Sequence, residues 1–198
     1  MYLTDVWNLS YAEYVQHLLK KYGPAEHDYF DDKGNFTASR TWSDGLECHH
    51  IDEDKIPNLS DDNAYLTYPQ YQKADRLVYC NRIEHLILHI KIAQIPIDDS
   101  SKRQITYFNS GVELLIRRLN DGYSGYLTEY DWNSRVHFRV RNWSFLYLQV
   151  LKLLVKDMKN EGYTDSQIEK LIYAHNYGFP KKIKAMYKNV KITEHVVI

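Results

Sequence analysis

A short apolar run that leads directly into a capped helix constrains the fold of this chain more than any other feature. Residues 77–80 (Leu-Val-Tyr-Cys) are rich in strand formers. Asn81 follows at once and Glu84 stands three residues later, a spacing typical of the capping box at a helix start. The apolar stripe of this helix continues at helical spacing through Ile83, Leu86, Ile87 and Ile90. The sequence therefore predicts a strand followed without a loop by a helix.

Four of the nine histidines form two close pairs near this segment. His85 and His89 are four residues apart on the predicted helix, so both imidazoles project from one face and can hold a single ion. His49 and His50 are adjacent in a predicted strand at 46–51, where neighbouring side chains point to opposite sides. One member of that pair can bind a metal while the other faces a substrate.

The predicted strand, long loop, strand and helix together form a ββα unit. Residues 52–75 are acidic and are interrupted by Pro57 and Pro69, which predicts a loop of functional length with a helix cap at 59–62. We expect an α+β fold, a mostly helical domain around this unit. Its parts are an N-terminal helix and polar lead-in at 1–44, the ββα unit with its inserted loop at 45–95, and a helical region at 96–198.

Several further elements are predicted from periodicity and turn residues. An amphipathic helix at 4–22 ends at Gly23, and a short strand candidate follows at 36–42. After turn residues at 98–101, a helix is predicted near 104–119 that ends near Asp121-Gly122. Further helices are predicted near 143–160, with Gly162 as the stop, and at 165–174, with Thr164 as the cap. A turn at 176–178 then precedes a last short helix that begins at Pro180. In the stretch 135–141, basic and apolar residues alternate, which gives one basic face if it is a strand and dispersed charges if it is a helix.

Charge is distributed unevenly along the chain. Residues 1–100 contain 17 acidic and nine basic side chains, whereas residues 101–198 contain nine acidic and 16 basic ones. The second half is therefore the better candidate for meeting an anion, and the last two helices, the second of them basic, suggest a helix-turn-helix-like element. The candidate nucleic-acid contacts in this half are Arg135, Arg139, Arg141, Lys181, Lys182 and Lys184.

Cysteine content and hydropathy favour the cytoplasm. Cys48 and Cys80 are the only cysteines and do not form a Cys-x-x-Cys pair, which argues against a disulfide framework and a zinc knuckle. The apolar segments are too short and too interrupted to cross a bilayer, so we expect no membrane contact.

The histidine segments resemble the HNH, or ββα-metal, endonuclease motif. The likeness covers residues 45–92: Glu47-Cys48-His49-His50-Ile51, then Asp75-Arg76-Leu77-Val78-Tyr79, then Glu84-His85 with His89 four residues further on. The resemblance implies that His49, His85 and His89 hold one divalent metal and that His50 is the general base for hydrolysis of phosphodiester bonds in DNA, with RNA a further candidate substrate. Three imidazoles suit zinc, nickel or manganese better than magnesium, and the identity of the ion stays open among these four.

One position departs from the motif. The asparagine that braces the base in this family normally precedes the Leu-Val-Tyr strand, but Arg76 stands there in this chain. Asp75 or Asn81 is then expected to replace it, while Arg76 is a candidate phosphate contact. Arg76 and the acidic first half favour an alternative function, a non-catalytic metal- or DNA-binding protein, such as a regulator or defence component, that keeps the ββα scaffold. A metallohydrolase that acts on a small phosphoester is a third alternative.

Two glutamates near the histidines are candidates for orienting imidazole N–H groups. Glu47 precedes the first histidine pair, and Glu84 immediately precedes His85. Glu84 is equally well explained as the capping partner of Asn81.

Overall fold

Two short antiparallel strands form the sheet in the computed structural model of the chain. The first strand, β1, is Glu47–His50 and the second, β2, is Leu77–Cys80; His49 pairs with Val78 and His50 with Leu77. The structure describes residues 1–38, 40–61, 63–96, 106–127, 132–177, 181–193 and 196–198. Helices make up most of the remaining described chain, so the predicted α+β class is confirmed.

Strand β1 follows the third helix along the chain, and strand β2 immediately precedes the fifth. The helices are α1 (Leu3–Asn8), α2 (Tyr11–Tyr22), α3 (Thr41–Asp44), α4 (Ala64–Thr67), α5 (Arg82–Ala93), α6 (Val112–Ser124), α7 (Trp132–Val140), α8 (Ser144–Asn160), α9 (Asp165–Ile172) and α10 (Lys181–Asn189). Short 3₁₀ turns at Pro69–Tyr71 and Ala74–Arg76 lead into β2.

The junction between β2 and α5 has the predicted capping box. The Asn81 side chain accepts the backbone N–H groups of Ile83 and Glu84 at 2.9 and 3.1 Å, and the Glu84 carboxylate accepts the backbone N–H of Asn81 at 2.8 Å. These bonds satisfy helix-start donors that would otherwise be buried without partners. The strand and the helix consequently meet at a fixed angle.

Helix α5 lies at the centre of the molecule. It packs against both strands and against α2, α6, α7 and α8. Its apolar side chains Ile83, Leu86, Ile87, Leu88 and Ile90 are almost completely buried. Burial on nearly every side gives α5 a rigid position, and the histidines that it carries share that rigidity.

The prediction of one continuous N-terminal helix at 4–22 is wrong. The helix breaks at Leu9 and Ser10 into α1 and α2, because the Ser10 hydroxyl accepts the backbone N–H of Glu13 and the Glu13 carboxylate accepts that of Ser10. This second capping box starts a new helix. The predicted end is correct, since Gly23 terminates α2 with a φ of 78°.

The strand candidate at 36–42 is also wrong. Phe36 makes an isolated bridge with Phe30, and residues from Thr41 onward form α3. The Asp31 carboxylate accepts the backbone N–H groups of Lys33 and Asn35, which closes a tight turn in place of a longer hairpin. Ser39, inside the candidate strand, lies outside the described residues.

The helix predicted at 104–119 is displaced along the chain. Its first residues, 104 and 105, and the turn predicted at 98–101 fall outside the described residues, and α6 runs from Val112 to Ser124. The helix passes through Gly122, where a β-carbon would collide with the ring of His137, so this glycine serves a close helix contact instead of a helix stop. The alternating residues at 135–141 lie mostly in α7, and their charges are therefore dispersed around a helix.

The C-terminal helices largely follow the predictions. Helix α8 ends before Gly162 and α9 begins after the Thr164 cap, as expected, while α10 begins at Lys181. Gly178 and Pro180, which were predicted to form the turn and start the last helix, are outside the described chain. None of the helices in the described ranges combines the length and apolar character needed to cross a membrane.

Candidate metal centre

The three histidines expected to bind a metal meet at one point of the ββα unit. Nδ1 of His49 lies 3.2 Å from Nε2 of His85, and that same Nε2 lies 3.2 Å from Nε2 of His89. One nitrogen from each ring lies within 4.8 Å of the other two. Two ligands about 2.1 Å from a tetrahedral ion are about 3.4 Å apart. The three rings are therefore close enough to bind one divalent ion.

A tyrosine fixes the outer nitrogen of His49. Nε2 of His49 lies 2.9 Å from the Tyr11 hydroxyl, and this hydroxyl lies 3.2 Å from the carbonyl oxygen of Ile51. The single hydroxyl hydrogen donates to the carbonyl, so the oxygen accepts the Nε2–H of His49. The lone pair of His49 is then on Nδ1, the atom that faces His85.

A carboxylate fixes His85 in the same way. Nδ1 of His85 lies 3.0 Å from Oε2 of Glu47, and Oε1 of Glu47 accepts from Nη2 of Arg82 at 2.9 Å. Burial by itself raises the pKa of Glu47, but Arg82 and His85 offset it and hold that pKa well below its usual range. The ionised carboxylate accepts Nδ1–H of His85 and leaves the Nε2 lone pair for a metal. Glu47 thus occupies the position expected for a residue that orients an imidazole.

Burial keeps two of the candidate ligands, His49 and His89, neutral. It is the largest cause that lowers the pKa of His49 well below its ordinary value, with the neighbouring rings of His89 and His85 adding to the effect. Burial, followed by His85, lowers the pKa of His89 to about 3. A metal binds the unprotonated imidazole, so His49 and His89 are in the form that binds a divalent cation at neutral pH.

Gly111 packs closely against the ring of His89. Its φ is 83°, and a β-carbon there would lie 2.8 Å from both Nδ1 and Cε1 of the His89 ring. Only glycine combines this backbone conformation with this approach. The start of α6 therefore supports the metal centre from outside the ββα unit.

Gly111→Ala is expected to weaken both folding and metal binding. The left-handed conformation costs about 1–3 kcal/mol in a non-glycine residue, and the added methyl group displaces His89. Gly125→Ala is the matched control, because Gly125 has a φ of 84° and nothing within 4 Å of its β-carbon position. Urea unfolding should show a loss for both variants, and zinc titration should show weaker binding for Gly111→Ala alone. Equal zinc affinities in the two variants would contradict the proposed contact.

His50 lies on the opposite face of β1 and has different partners. Nε2 of His50 lies 2.9 Å from Oε1 of Gln72, and Nε2 of Gln72 donates to the Leu59 carbonyl at 3.1 Å. The second bond orients the amide so that its oxygen accepts the Nε2–H of His50, which leaves the lone pair on Nδ1. Burial lowers the pKa of His50 to about 4, although the bond to Gln72 raises it, so the ring is unprotonated at neutral pH.

Glu53 is the unexpected acidic side chain of the site. Its Oε2 lies 3.5 Å from Nε2 of His89 and 3.7 Å from Nδ1 of His49. Burial, followed by the charge of Asp61, raises the pKa of Glu53 to about 8. A carboxyl group thus stands beside the same nitrogens that face one another across the candidate centre.

A cavity of about 650 Å³ opens onto all four histidines. Arg118 of α6 is the only arginine in its wall among the described residues. Several aromatic side chains complete the wall, namely Tyr29, Phe36, Trp42 and Trp132. The volume is in the range of small-ligand sites, so the cavity has room for a small ligand beside the histidines.

The residues expected to replace the motif asparagine take other roles. Asn81 caps α5, and Asp75 is exposed in a 3₁₀ turn. The hydrogen bond to His50 is made by Gln72 instead. Arg76 forms an ion pair with the buried carboxylate of Asp52, so its charge is compensated.

Glu84 serves the helix cap and not the histidines. Besides accepting from the Asn81 backbone, its carboxylate accepts from Nζ of Lys21 at 2.6 Å and from the Tyr22 hydroxyl at 2.8 Å. Of the two explanations open for Glu84, the structure supports the capping partner.

The candidate nucleic-acid contacts of the second half lie either on or just after α7 or on α10. Arg135 and Arg139 donate to the backbone carbonyls of Trp42 and Asp44, which brings the exposed face of α7 next to the cavity wall. Arg141 stacks on Phe138, with its guanidinium 3.7 Å from the ring centroid. The lysines predicted to contact nucleic acid are on α10 and do not line the cavity: Lys181, Lys182 and Lys184.

Comparison with protein-family models, with curated proteins and with solved structures gave no match for this chain. The two-stranded sheet, the helix that follows it and the three clustered histidines are compatible with a ββα-metal motif.

Four residues of the site were not predicted. Tyr11 looked like part of an apolar helix stripe, and Gln72 and Glu53 lie in a loop without a recognisable pattern. Arg118 lies on α6, far from the motif in sequence. The spacing of Glu53 four residues after His49 was the only local signal, and it is weak because acidic residues are frequent throughout this loop.

Proposed function

We propose that this chain is a metal-dependent endonuclease of the HNH type that hydrolyses phosphodiester bonds in DNA. His49, His85 and His89 would hold one divalent ion, and His50 would act as the general base. The observation that carries the proposal is the division of the histidine pair on β1, with Nδ1 of His49 at the metal cluster and His50 held separately by Gln72 on the same cavity. A bound ion would supply a Lewis acid beside the scissile phosphate.

His50 has an unprotonated ring nitrogen that can accept a proton from water. Its Nε2–H is occupied by Gln72, so Nδ1 is the atom that accepts the proton. The Tyr29 ring, with its centroid 4.2 Å from that of His50, restrains the imidazole from the side. The protonated ring that results would lie 4.0 Å, from Nδ1 to Oε1, from the Glu53 carboxylate.

Arg118 supports the choice of a phosphodiester as substrate. Its guanidinium stacks on Trp132, 4.8 Å from the ring centroid, and it shares the cavity with the histidines. Among the described acidic residues, Glu47 pairs with Arg82 and Glu113 with Arg117, and none forms an ion pair with Arg118. A partly buried guanidinium that forms no ion pair in the described chain favours an anionic ligand, and its planar fork suits a phosphate.

The exposed face of α7 extends this positive charge away from the cavity. Trp132, Arg135 and Arg139 are spaced by three and four residues and therefore share one side of the helix. The carbonyl groups that accept from the two arginines carry no charge, so both guanidinium charges stay uncompensated by those contacts. This face would follow a nucleic-acid backbone without reading its sequence.

The direct test is nicking of supercoiled plasmid by the purified chain with Mg²⁺, Mn²⁺, Zn²⁺ or Ni²⁺. We expect cleavage that requires an ion and stops with a chelator, and a fall in kcat/KM of about 10- to 100-fold for Arg118→Met, since hydrogen bonds to charged groups contribute about 1.5–3 kcal/mol. Arg117→Met is the control, because Arg117 pairs with Glu113 at the surface of the same helix. Tight metal binding without cleavage of plasmid, RNA or a nucleotide ester would instead favour the non-catalytic function.

A further inference from the structure

Glu53 brings a carboxylate to the histidines from the turn after β1. Its backbone N–H donates to the His50 carbonyl at 3.2 Å. This bond closes the turn and fixes the backbone position from which the side chain extends. Oε2 then reaches to 3.5 Å from Nε2 of His89 and 3.7 Å from Nδ1 of His49. The side chain is only 11% exposed, so water does not solvate it freely.

The surroundings of Glu53 differ from those of the two buried glutamates, Glu47 and Glu84. Glu47 faces the guanidinium of Arg82, and Glu84 faces the ammonium of Lys21. The groups within ion-pair distance of Glu53 in the described chain are all histidines. A buried carboxylate is costly unless a cation accompanies it, and a divalent ion among these nitrogens would be that cation.

The distances around the cluster match the edges of a coordination shell. The four separations known are 3.2 Å for His49 to His85, 3.2 Å for His85 to His89, 3.5 Å for His89 to Glu53 and 3.7 Å for Glu53 to His49. Neighbouring ligands of a tetrahedral zinc ion are about 3.4 Å apart. Each of these four separations is therefore close to the spacing of two ligands on one ion.

We propose that Glu53 is a fourth protein ligand of the ion held by His49, His85 and His89. The inference rests on the proposed metal site and concerns its donor set, not the reaction. With three nitrogens and one carboxylate oxygen from the protein, a phosphate oxygen would bind as the fifth ligand, a coordination number that catalytic zinc can reach in the transition state.

Zinc affinity measured by competition with a chromogenic chelator tests the inference without any activity assay. Glu53→Gln keeps the shape of the side chain and removes its charge. We expect it to weaken zinc binding by at least about 100-fold, since loss of an outer hydrogen-bond partner alone costs 10- to 100-fold. Asp54→Asn makes the same charge change one residue away, outside the cavity wall, and should keep zinc affinity within about threefold.

The possible results separate this inference from the metal site itself. Zinc binding by the wild type that is unchanged in Glu53→Gln overturns the fourth ligand and leaves the three-histidine site intact. Equal losses in Glu53→Gln and Asp54→Asn also overturn it, because net charge would then explain both. Absence of zinc binding by the wild type overturns both proposals. If Glu53→Gln does not fold, a crystal structure of the zinc-loaded wild type decides: a Glu53 oxygen about 2.0–2.2 Å from the ion supports the ligand, and a water there overturns it.

Discussion

His50→Ala is expected to reduce plasmid cleavage by about 10²- to 10⁴-fold, the usual contribution of a general base, while zinc affinity changes little. The expectation follows from the two faces of β1. Nε2 of His50 is bonded to Gln72, and His50 is absent from the cluster that His49, His85 and His89 form. Single-turnover cleavage and zinc titration on the same preparation measure the two effects separately.

His85→Ala and His27→Ala complete that experiment. His85 is bonded to Glu47 and faces both other candidate ligands, so its loss should reduce zinc binding and cleavage together. His27 is exposed and does not line the cavity, so its loss should change neither. Equal reductions of zinc affinity in His50→Ala and His85→Ala would refute the division of roles between metal ligand and base.

The part of the fold that local chemistry determines could be predicted from the sequence. Strand β2 and helix α5 were located to within a residue or two because the strand formers, the Asn81 cap and the apolar stripe all indicate the same boundary. The three histidines were found for a related reason, since strand and helix periodicities fix the direction of each ring. In these places the local preference and the packed structure agree.

The prediction failed where a single residue decides between two local structures. Ser10 splits the N-terminal helix, although its neighbours have continuous helical periodicity, because its hydroxyl and Glu13 complete a capping box. Gly122 looked like a helix stop, yet α6 continues through it to admit the ring of His137. Periodicity alone does not resolve such cases.

Contacts made over long sequence distances were also beyond local patterns. Tyr11 reaches His49 across 38 residues, and Gln72 reaches His50 across 22. Nothing around Tyr11 or Gln72 in the sequence distinguishes it from similar residues nearby. Such partners depend on how α2 and the loop before β2 pack against β1, which only the folded chain determines.

Glu47 connects the stability of the fold to the metal centre. One carboxylate oxygen accepts from Arg82, a completely buried side chain, and the other accepts from His85. The Arg82 guanidinium also donates to the backbone and side-chain oxygens of Asn133 in α7. A single buried network therefore joins β1, α5 and α7, and any change at Arg82 should affect both folding and metal affinity.

Arg82→Ala is expected to lower the free energy of unfolding by about 3–5 kcal/mol, because it leaves the Glu47 carboxylate buried without its cation. That loss is large against the total stability of about 5–15 kcal/mol typical of a domain. Urea denaturation measures it. Arg117→Ala should cost only about 0.3–0.5 kcal/mol, since Arg117 and Glu113 form an i,i+4 pair at the surface.

The double variant Arg82→Met with Glu47→Leu separates the two functions of the network. Apolar side chains of similar volume can replace a buried ion pair with little loss, so stability should recover most of what Arg82→Ala loses. Zinc affinity should nevertheless fall by about 10- to 100-fold, because Nδ1 of His85 no longer has an acceptor that fixes its proton. Full recovery of zinc affinity would mean that Glu47 does not orient His85, and stability no better than that of Arg82→Ala would mean that the unpaired charge is not the cause of its loss.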